Sequence, residues 1–174
     1  MNSNHINRYK EKQKFTKRQR SIMIGKLLGD AHLESLHKGR TFRLVIEHSI
    51  TQKNYVDWLY NEFREWVRMP PKVKEREVNG KIYKKYYFRT LGHASFRFYH
   101  HQFYDGKKKI VPRLIYKWLS PIALAVWFMD DGSIKSKLHR ARIINTQGFT
   151  KNEVSKLIEV LWKNFEIRAQ LRKQ

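Results

Sequence analysis

The 174 residues contain no cysteine, which excludes disulfides and thiolate-ligated zinc. No apolar run approaches the roughly 18–20 residues that a membrane span needs. No hydrophobic signal core opens the chain, so secretion is not expected and an intracellular protein is. A Gly-rich loop of the P-loop type is also missing. Acids are scarce, 15 against 37 lysines and arginines, leaving a formal net charge of +22. A surplus of that size repels itself and points to a polyanionic partner, with nucleic acid first among the candidates. Hydrophobic residues make up 41% of the chain and aromatics 14%, which excludes a disordered chain and requires a packed core. Histidine adds no metal motif, because the adjacent His100 and His101 cannot both face one ion from a helix.

Residues 1–15 are polar and basic without apolar periodicity and read as an arm. Thr16 is a candidate N-cap for a helix running to about Gly29. "RTFRLVIEH" alternates with period two, placing Phe42, Leu44 and Ile46 on one strand face. Thr51 is expected to cap a second helix, "QKNYVDWLYNEFREWV", with Tyr55, Trp58, Leu59, Phe63 and Trp66 as its core stripe. Pro70-Pro71 ends it. Asn79-Gly80 between two alternating runs predicts a hairpin with a two-residue type I′ turn. One face of that hairpin then carries Lys72, Lys74, Arg76, Lys81, Tyr83, Lys85 and Arg89, a cationic surface suited to phosphates and base edges. "ASFRFYHHQF" reads as a short helix, and residues 105–119 as a basic, proline-broken linker.

The order of the first half then begins again. Ser120-Pro121 is an N-cap followed by proline at N1, opening the apolar helix "IALAVWFM". "DDGSIK" leads into the strand "LHRARIINT". Thr150 caps "KNEVSKLIEVLWKNF", with Val154, Leu157, Ile158, Leu161 and Trp162 on one side, and "EIRAQLRKQ" reads as the start of a strand. The organisation is an internal repeat, 16–104 and 120–174, with the last piece of the second copy missing.

Two segments coincide when the halves are aligned: "MIGKLLGDA" and "LAVWFMDDG". Both are apolar helices ending in an aspartate at the same offset, Asp30 and Asp131. A carboxylate at a helix C-terminus opposes the macrodipole, so two at equivalent positions call for a cation. Ser21, Gly25 and Gly29 recur every fourth residue and form a small-residue seam, expected to meet the Ile122–Val126–Asp130 side of the second helix. Parallel packing there brings Asp30 and Asp131 side by side. Crowded carboxylates repel unless an ion sits between them, and an all-oxygen site suits Mg²⁺ and phosphodiester hydrolysis.

These paired segments resemble the two LAGLIDADG motifs of homing endonucleases, most closely the single-chain, two-repeat group. The resemblance extends over "IGKLLGDAHL", "MPPKVKERE", "KKKIVP", "LSPIALAVWFMDDG" and "NTQGFT". It implies an α+β fold of pseudo-symmetric αββαββα repeats with an antiparallel DNA-binding saddle, the second repeat being truncated. It implies Asp30 and Asp131 as metal-binding and catalytic acids, with the carbonyl of Gly29 or Asp130 also reaching a metal. Lys109 of "KKKIVP" matches the family's basic active-site residue, and Gln147 matches without an assigned role. Mg²⁺ is the expected cofactor, with Mn²⁺ as a substitute. The expected partner is double-stranded DNA with a long site, contacted further by Arg40, Arg43, Arg140 and Arg142. Intron RNA is a second possible partner, and no membrane is involved. The protein is expected to be a monomer if its second repeat is functional, with a mitochondrial or chloroplast location in a eukaryote and a cytoplasmic one otherwise. Lys26 departs from the motif's usual apolar residue and is expected to point outward. Two rival readings are an RNA maturase or cleavage-deficient binding protein on the same fold, and a basic ribonucleoprotein component.

Overall fold

The structure is a computed structural model that describes residue 9, residues 12–136 and residues 139–172, with the side chains of Ser136, His139 and Arg140 outside the described part. Most of the expected N-terminal arm also lies outside the described residues. Two compact units emerge. The first comprises the chain up to Arg20 with Ala31–Arg97; the second comprises Ser21–Asp30 with the chain from Phe98 onward.

Helix α1 (Lys17–Leu28) starts where expected. Thr16 Oγ accepts from the Gln19 amide at 3.0 Å, and the Gln19 side chain accepts from the Thr16 amide at 3.1 Å. This reciprocal cap satisfies two amides that the first helical turn leaves without partners.

The first unit is built on a four-stranded antiparallel sheet of order β1-β2-β4-β3, from β1 (His32–Leu36), β2 (Thr41–Ser49), β3 (Lys72–Val78) and β4 (Lys81–Arg89). Asn79 and Gly80 take φ of 51° and 73°, the left-handed pair that a type I′ turn demands. The expected register follows, with Val78 opposite Lys81, Arg76 opposite Tyr83 and Lys74 opposite Lys85. Phe42, Leu44 and Ile46 are buried as the alternation predicts, and Val45 on the opposite face is buried too.

Helix α2 (Lys53–Glu62) is shorter than expected, ending at Phe63 before a 3-10 turn at Arg64–Trp66, well ahead of the two prolines. Thr51 does not cap it; Ser49 accepts from the Thr51 amide and caps the preceding 3-10 turn. The core stripe shifts accordingly. Val56, Leu59, Phe63 and Trp66 are buried, whereas Tyr55 and Trp58 remain half-exposed. Phe15 stacks on Trp66 with ring centroids 4.0 Å apart.

In the second unit, α3 (Ser95–Phe103) leads into a small hairpin of β5 (Tyr104–Asp105) and β6 (Lys108–Lys109), then the short helix α4 (Ile115–Trp118). Only residues from Phe98 of α3 belong to this unit. Helix α5 (Pro121–Asp131) has Ser120 as N-cap and proline in its first turn, as expected. Strands β7 (Gly132–Ser136) and β8 (His139–Ile144) pair antiparallel. Helix α6 (Lys151–Phe165) opens on a full capping box between Thr150 and Glu153. Its buried side is Leu157, Val160 and Leu161; Trp162, expected inside, is 48% exposed, with the Arg168 guanidinium over its ring. Glu166 terminates α6 in the left-handed region, and residues 166–172 carry no regular structure, so the strand expected there does not form.

The part of α1 from Ser21 packs against α5 along the expected seam. A Cβ at Gly25 would stand 2.4 Å from the Ala123 carbonyl oxygen and 2.8 Å from Val126 Cβ. At Gly29 it would stand 2.3 Å from an Asp130 carboxylate oxygen. The contacts advance in step along both helices, so they run parallel and their C-terminal ends meet. Gly25→Val therefore forces the helices apart. Urea unfolding is expected to show a loss of roughly 1–3 kcal/mol through a lowered midpoint at unchanged slope.

Candidate active site

The close seam has an electrostatic consequence. Where α1 and α5 end together, three carboxylates, Asp30, Asp130 and Asp131, share a small space beside two negative helix ends. Carboxylate oxygens of Asp30 and Asp130 come within 4.8 Å of each other. Burial, followed by the charges of Asp30 and Asp130, pushes the Asp131 carboxyl up to about 6. The indole N–H of Trp127 and the ammonium of Lys109 oppose that rise. Among the described residues the indole falls short of a full hydrogen bond to any acceptor.

Two lysines answer the crowding. Lys26 does not point outward: it is fully buried, and its Nζ donates to Asp130 Oδ1 at 2.7 Å, both side chains having no exposure. The helix seam leaves no route to solvent at this position, and Asp130 supplies the countercharge that burial requires. Burial lowers the Lys26 pKa, with Asp130 opposing. Asp130 Oδ2 accepts from the Asp30 amide at 2.9 Å, so the first of the two adjacent aspartates links the helix ends. Lys109, on β6, donates from Nζ to the Gly29 carbonyl at 2.6 Å. That carbonyl, one of the two expected to reach a metal, accepts from this lysine, which satisfies a C-terminal carbonyl of α1. Burial lowers the Lys109 pKa, opposed by Asp131, Asp30 and Asp130.

Asp30, Asp131 and Lys109 therefore come together, all within the second unit. Gly29, Lys109 and Asp131 line a cavity of about 180 Å³ with Asn145, Thr146 and Gln147. The β8 end is held there by the Asn145 amide, which donates to the Asp131 carbonyl at 2.9 Å. Gln147, which the sequence left without a role, stands in the wall of this cavity. The acidic donors are all oxygens, one carboxylate is crowded enough to hold its proton near pH 6, and two ammonium groups limit the negative charge. This donor set fits a hard divalent cation.

The cationic face expected on the hairpin lies in the first unit. Lys72, Lys74, Arg76, Lys81, Tyr83, Lys85 and Arg89 share one side of the sheet by register, joined there by Tyr87 and by Arg43 from β2. Two acids on this face were not foreseen. Glu34 holds Arg43 through two hydrogen bonds of 2.7 and 2.9 Å. Those hydrogen bonds lower the Glu34 pKa. Glu47 pairs with Lys85 at 2.6 Å; burial alone would raise its pKa, yet Lys85 and Lys74 hold it below the usual value. Both pairs span neighbouring strands, Glu34–Arg43 from β1 to β2 and Glu47–Lys85 from β2 to β4, and are invisible until those pairings are known. The Arg89 guanidinium lies over the Tyr87 ring. Arg40 sits apart, exposed in the turn before β2, and Arg142 is exposed on β8 in the second unit; the Arg140 side chain lies outside the described residues.

Carboxylates gathered at paired helix ends, in a chain that also carries a basic antiparallel sheet, fit the class of metal-dependent nucleases. The chain belongs to the LAGLIDADG DNA endonuclease family, whose pattern matches residues 20–174. It is 31% identical over 178 residues to "Probable intron-encoded endonuclease 1" of Wickerhamomyces canadensis, covering 98% of this chain and 76% of that protein. It is 33% identical to "Cytochrome b mRNA maturase bI2" of Debaryomyces hansenii, covering 87% of this chain but 58% of the maturase. The homing endonuclease I-WcaI, solved bound to its DNA recognition sequence, superimposes with a TM-score of 0.90 at 29% identity, covering 99% of this chain and 79% of that one. The α+β fold read from the sequence is that of the family.

Were Asp131 to hold a cation, its proton would compete with the ion, and the raised pKa places that competition near pH 6. Mn²⁺ binding to chelator-stripped protein is expected to tighten roughly tenfold per pH unit below about 6 and to level off above it. Titrations between pH 5 and 8, read by the spin-resonance signal of unbound Mn²⁺, check this.

Proposed function

We propose that this protein cleaves double-stranded DNA at a long, specific site by metal-assisted phosphodiester hydrolysis, with Mg²⁺ as the cofactor and Mn²⁺ able to replace it. The observation that carries the reading is the junction of Asp131 and Lys109 at one cavity, with Asp30 close enough to act on both charges, the two acids coming from motifs far apart in the chain. Asp30 and Asp131 are the carboxylates that hold the cation. When bound, the cation polarises the scissile phosphate, steadies the leaving oxygen and lowers the pKa of the attacking water. Lys109, anchored on the Gly29 carbonyl, places its ammonium where it can steady phosphate charge or orient water. Gln147 gives the same cavity a neutral hydrogen-bonding wall.

Lys72, Lys74, Arg76, Lys81, Tyr83, Lys85 and Arg89 form the face that takes DNA, with Arg40, Arg43, Arg140 and Arg142 as further contacts. The cross-strand lysines Lys74 and Lys85 repel each other in the unliganded sheet, and phosphates relieve that repulsion. Glu34 and Glu47 hold Arg43 and Lys85 in fixed directions, which favours base-edge contacts over diffuse attraction. We read residues 16–104 and 120–174 as the two repeats, joined by 105–119, and acting as a monomer because both acids come from one chain. An intron of an organelle is the host that we infer for the reading frame.

The maturase relative supports a second reading, in which the same basic surface grips intron RNA. Plasmids carrying intronless exon junctions, incubated with Mg²⁺, separate the two. Cleavage is expected, and it should fall by roughly 10²–10³-fold in Asp30→Asn and in Asp131→Asn. Cutting unchanged in both variants would refute the metal assignment. No cutting, with faster splicing of a group I intron, would establish the maturase reading.

A further inference from the structure

The two helix ends differ in a correlated way. At the offset that aligns Asp30 with Asp131, Lys26 matches the buried Trp127, and Gly29 matches Asp130. Among the positions at which the two helices differ, these two complete one another. Lys26 supplies a buried cation, Asp130 the anion that it needs, and Gly29 the space that the anion fills. Any side chain at position 29 would collide with the Asp130 carboxylate.

The two oxygens of Asp130 have separate tasks. Oδ1 accepts from Lys26 Nζ at 2.7 Å, and Oδ2 accepts from the Asp30 amide at 2.9 Å. The second bond fixes the backbone from which the Asp30 side chain projects, just beyond the end of α1. Without the ammonium, Asp130 would be a third anion beside Asp30 and Asp131, and would turn toward any cation bound there.

We infer that Lys26 is a positioning residue of the cation site: it holds Asp130 so that Asp130 tethers the Asp30 amide and stays outside the cation's ligand set. This rests on Asp30 being a cation ligand. A motif position that is ordinarily apolar thereby sets both the number of carboxylates offered to the ion and the placement of one of them.

The test uses the full chain stripped of metal and titrated with Mn²⁺ in the absence of DNA, bound and unbound ion being separated by spin resonance. Two double variants differ only in whether the side chain at position 130 can accept from the Asp30 amide. Lys26→Met with Asp130→Asn keeps a carbonyl oxygen there and is expected to bind Mn²⁺ within about threefold of the unaltered protein. Lys26→Met with Asp130→Ala removes the acceptor and is expected to bind about tenfold more weakly. Equal affinity in the two doubles, with native circular dichroism, would overturn the tether. Lys26→Met alone releases the Asp130 carboxylate and is expected to bind Mn²⁺ more tightly or in an additional equivalent. Affinity and stoichiometry unchanged from the unaltered protein would overturn the exclusion of Asp130 from the ligand set. The Asp30→Asn variant is the control, and it must bind Mn²⁺ weakly. If it binds normally, the reading of Asp30 as a ligand fails. Weak binding by that control beside two equal doubles would overturn the positioning role alone.

Discussion

The site depends on the close, parallel approach of α1 and α5, which forces like charges together. Glycine at positions 25 and 29 lets the backbone of one helix touch the other, so the C-terminal ends meet with the Asp130 side chain filling the space beside Gly29. Each end is already negative through its macrodipole, and Asp30, Asp130 and Asp131 add to it. Such an arrangement is unfavourable alone, and the surroundings of the helix ends answer the excess. Lys26 neutralises Asp130 in a dry pocket, while Lys109 is drawn from β6 onto the end of α1. The Asp131 carboxyl is held near 6 by burial first and by the charges of Asp30 and Asp130 next, an excess that Lys109 offsets only in part. A divalent ion is what that remaining charge is suited to hold.

The sheet of the first unit obeys the opposite constraint with the same physics. Its face is crowded with cations, and Glu34 and Glu47 answer only some of them. Paired side chains are held at defined angles, whereas the remaining lysines provide attraction without direction. A surface meant merely to repel other sheet edges would have no use for ion pairs between neighbouring strands, one of them bidentate. The mixture of anchored and unanchored cations suits a partner that must be both attracted and read.

Much of this was legible because it rests on local rules. The Asn79-Gly80 turn, the reciprocal cap at Thr16, the Ser120-Pro121 start and the Thr150 box each depend on residues within a few positions, and each forms as read. Asp30 and Asp131 were legible because the chain nearly repeats itself, which compares distant positions without any knowledge of contacts. Failures occurred where packing chooses between local options. Tyr55 and Val56 both satisfy a helical stripe, and burial goes to Val56, on the face it shares with Leu59 and Phe63. Trp162 fits the apolar side of α6 by spacing, yet Val160 takes the inner place. Glu34 and Glu47 were missed because their partners are defined by strand pairing rather than by sequence distance.

Lys26 shows the limit most clearly, and also how to move it. A single lysine in an apolar helix is ordinarily read as reaching for solvent, because its stem can lie along the surface while its charge stays wet. That reading treats each position separately. Here the seam already paired Gly29 with Asp130, and the same alignment placed a lysine and a tryptophan at equivalent sites. A cation missing its counterpart in one motif and an anion missing its counterpart in the other are two breaks in one symmetry. Breaks that carry opposite charge, and that fall on facing sides of a close helix contact, are most simply satisfied by each other. In a chain with an internal repeat, paired departures from the repeat therefore carry contact information that neither residue carries alone.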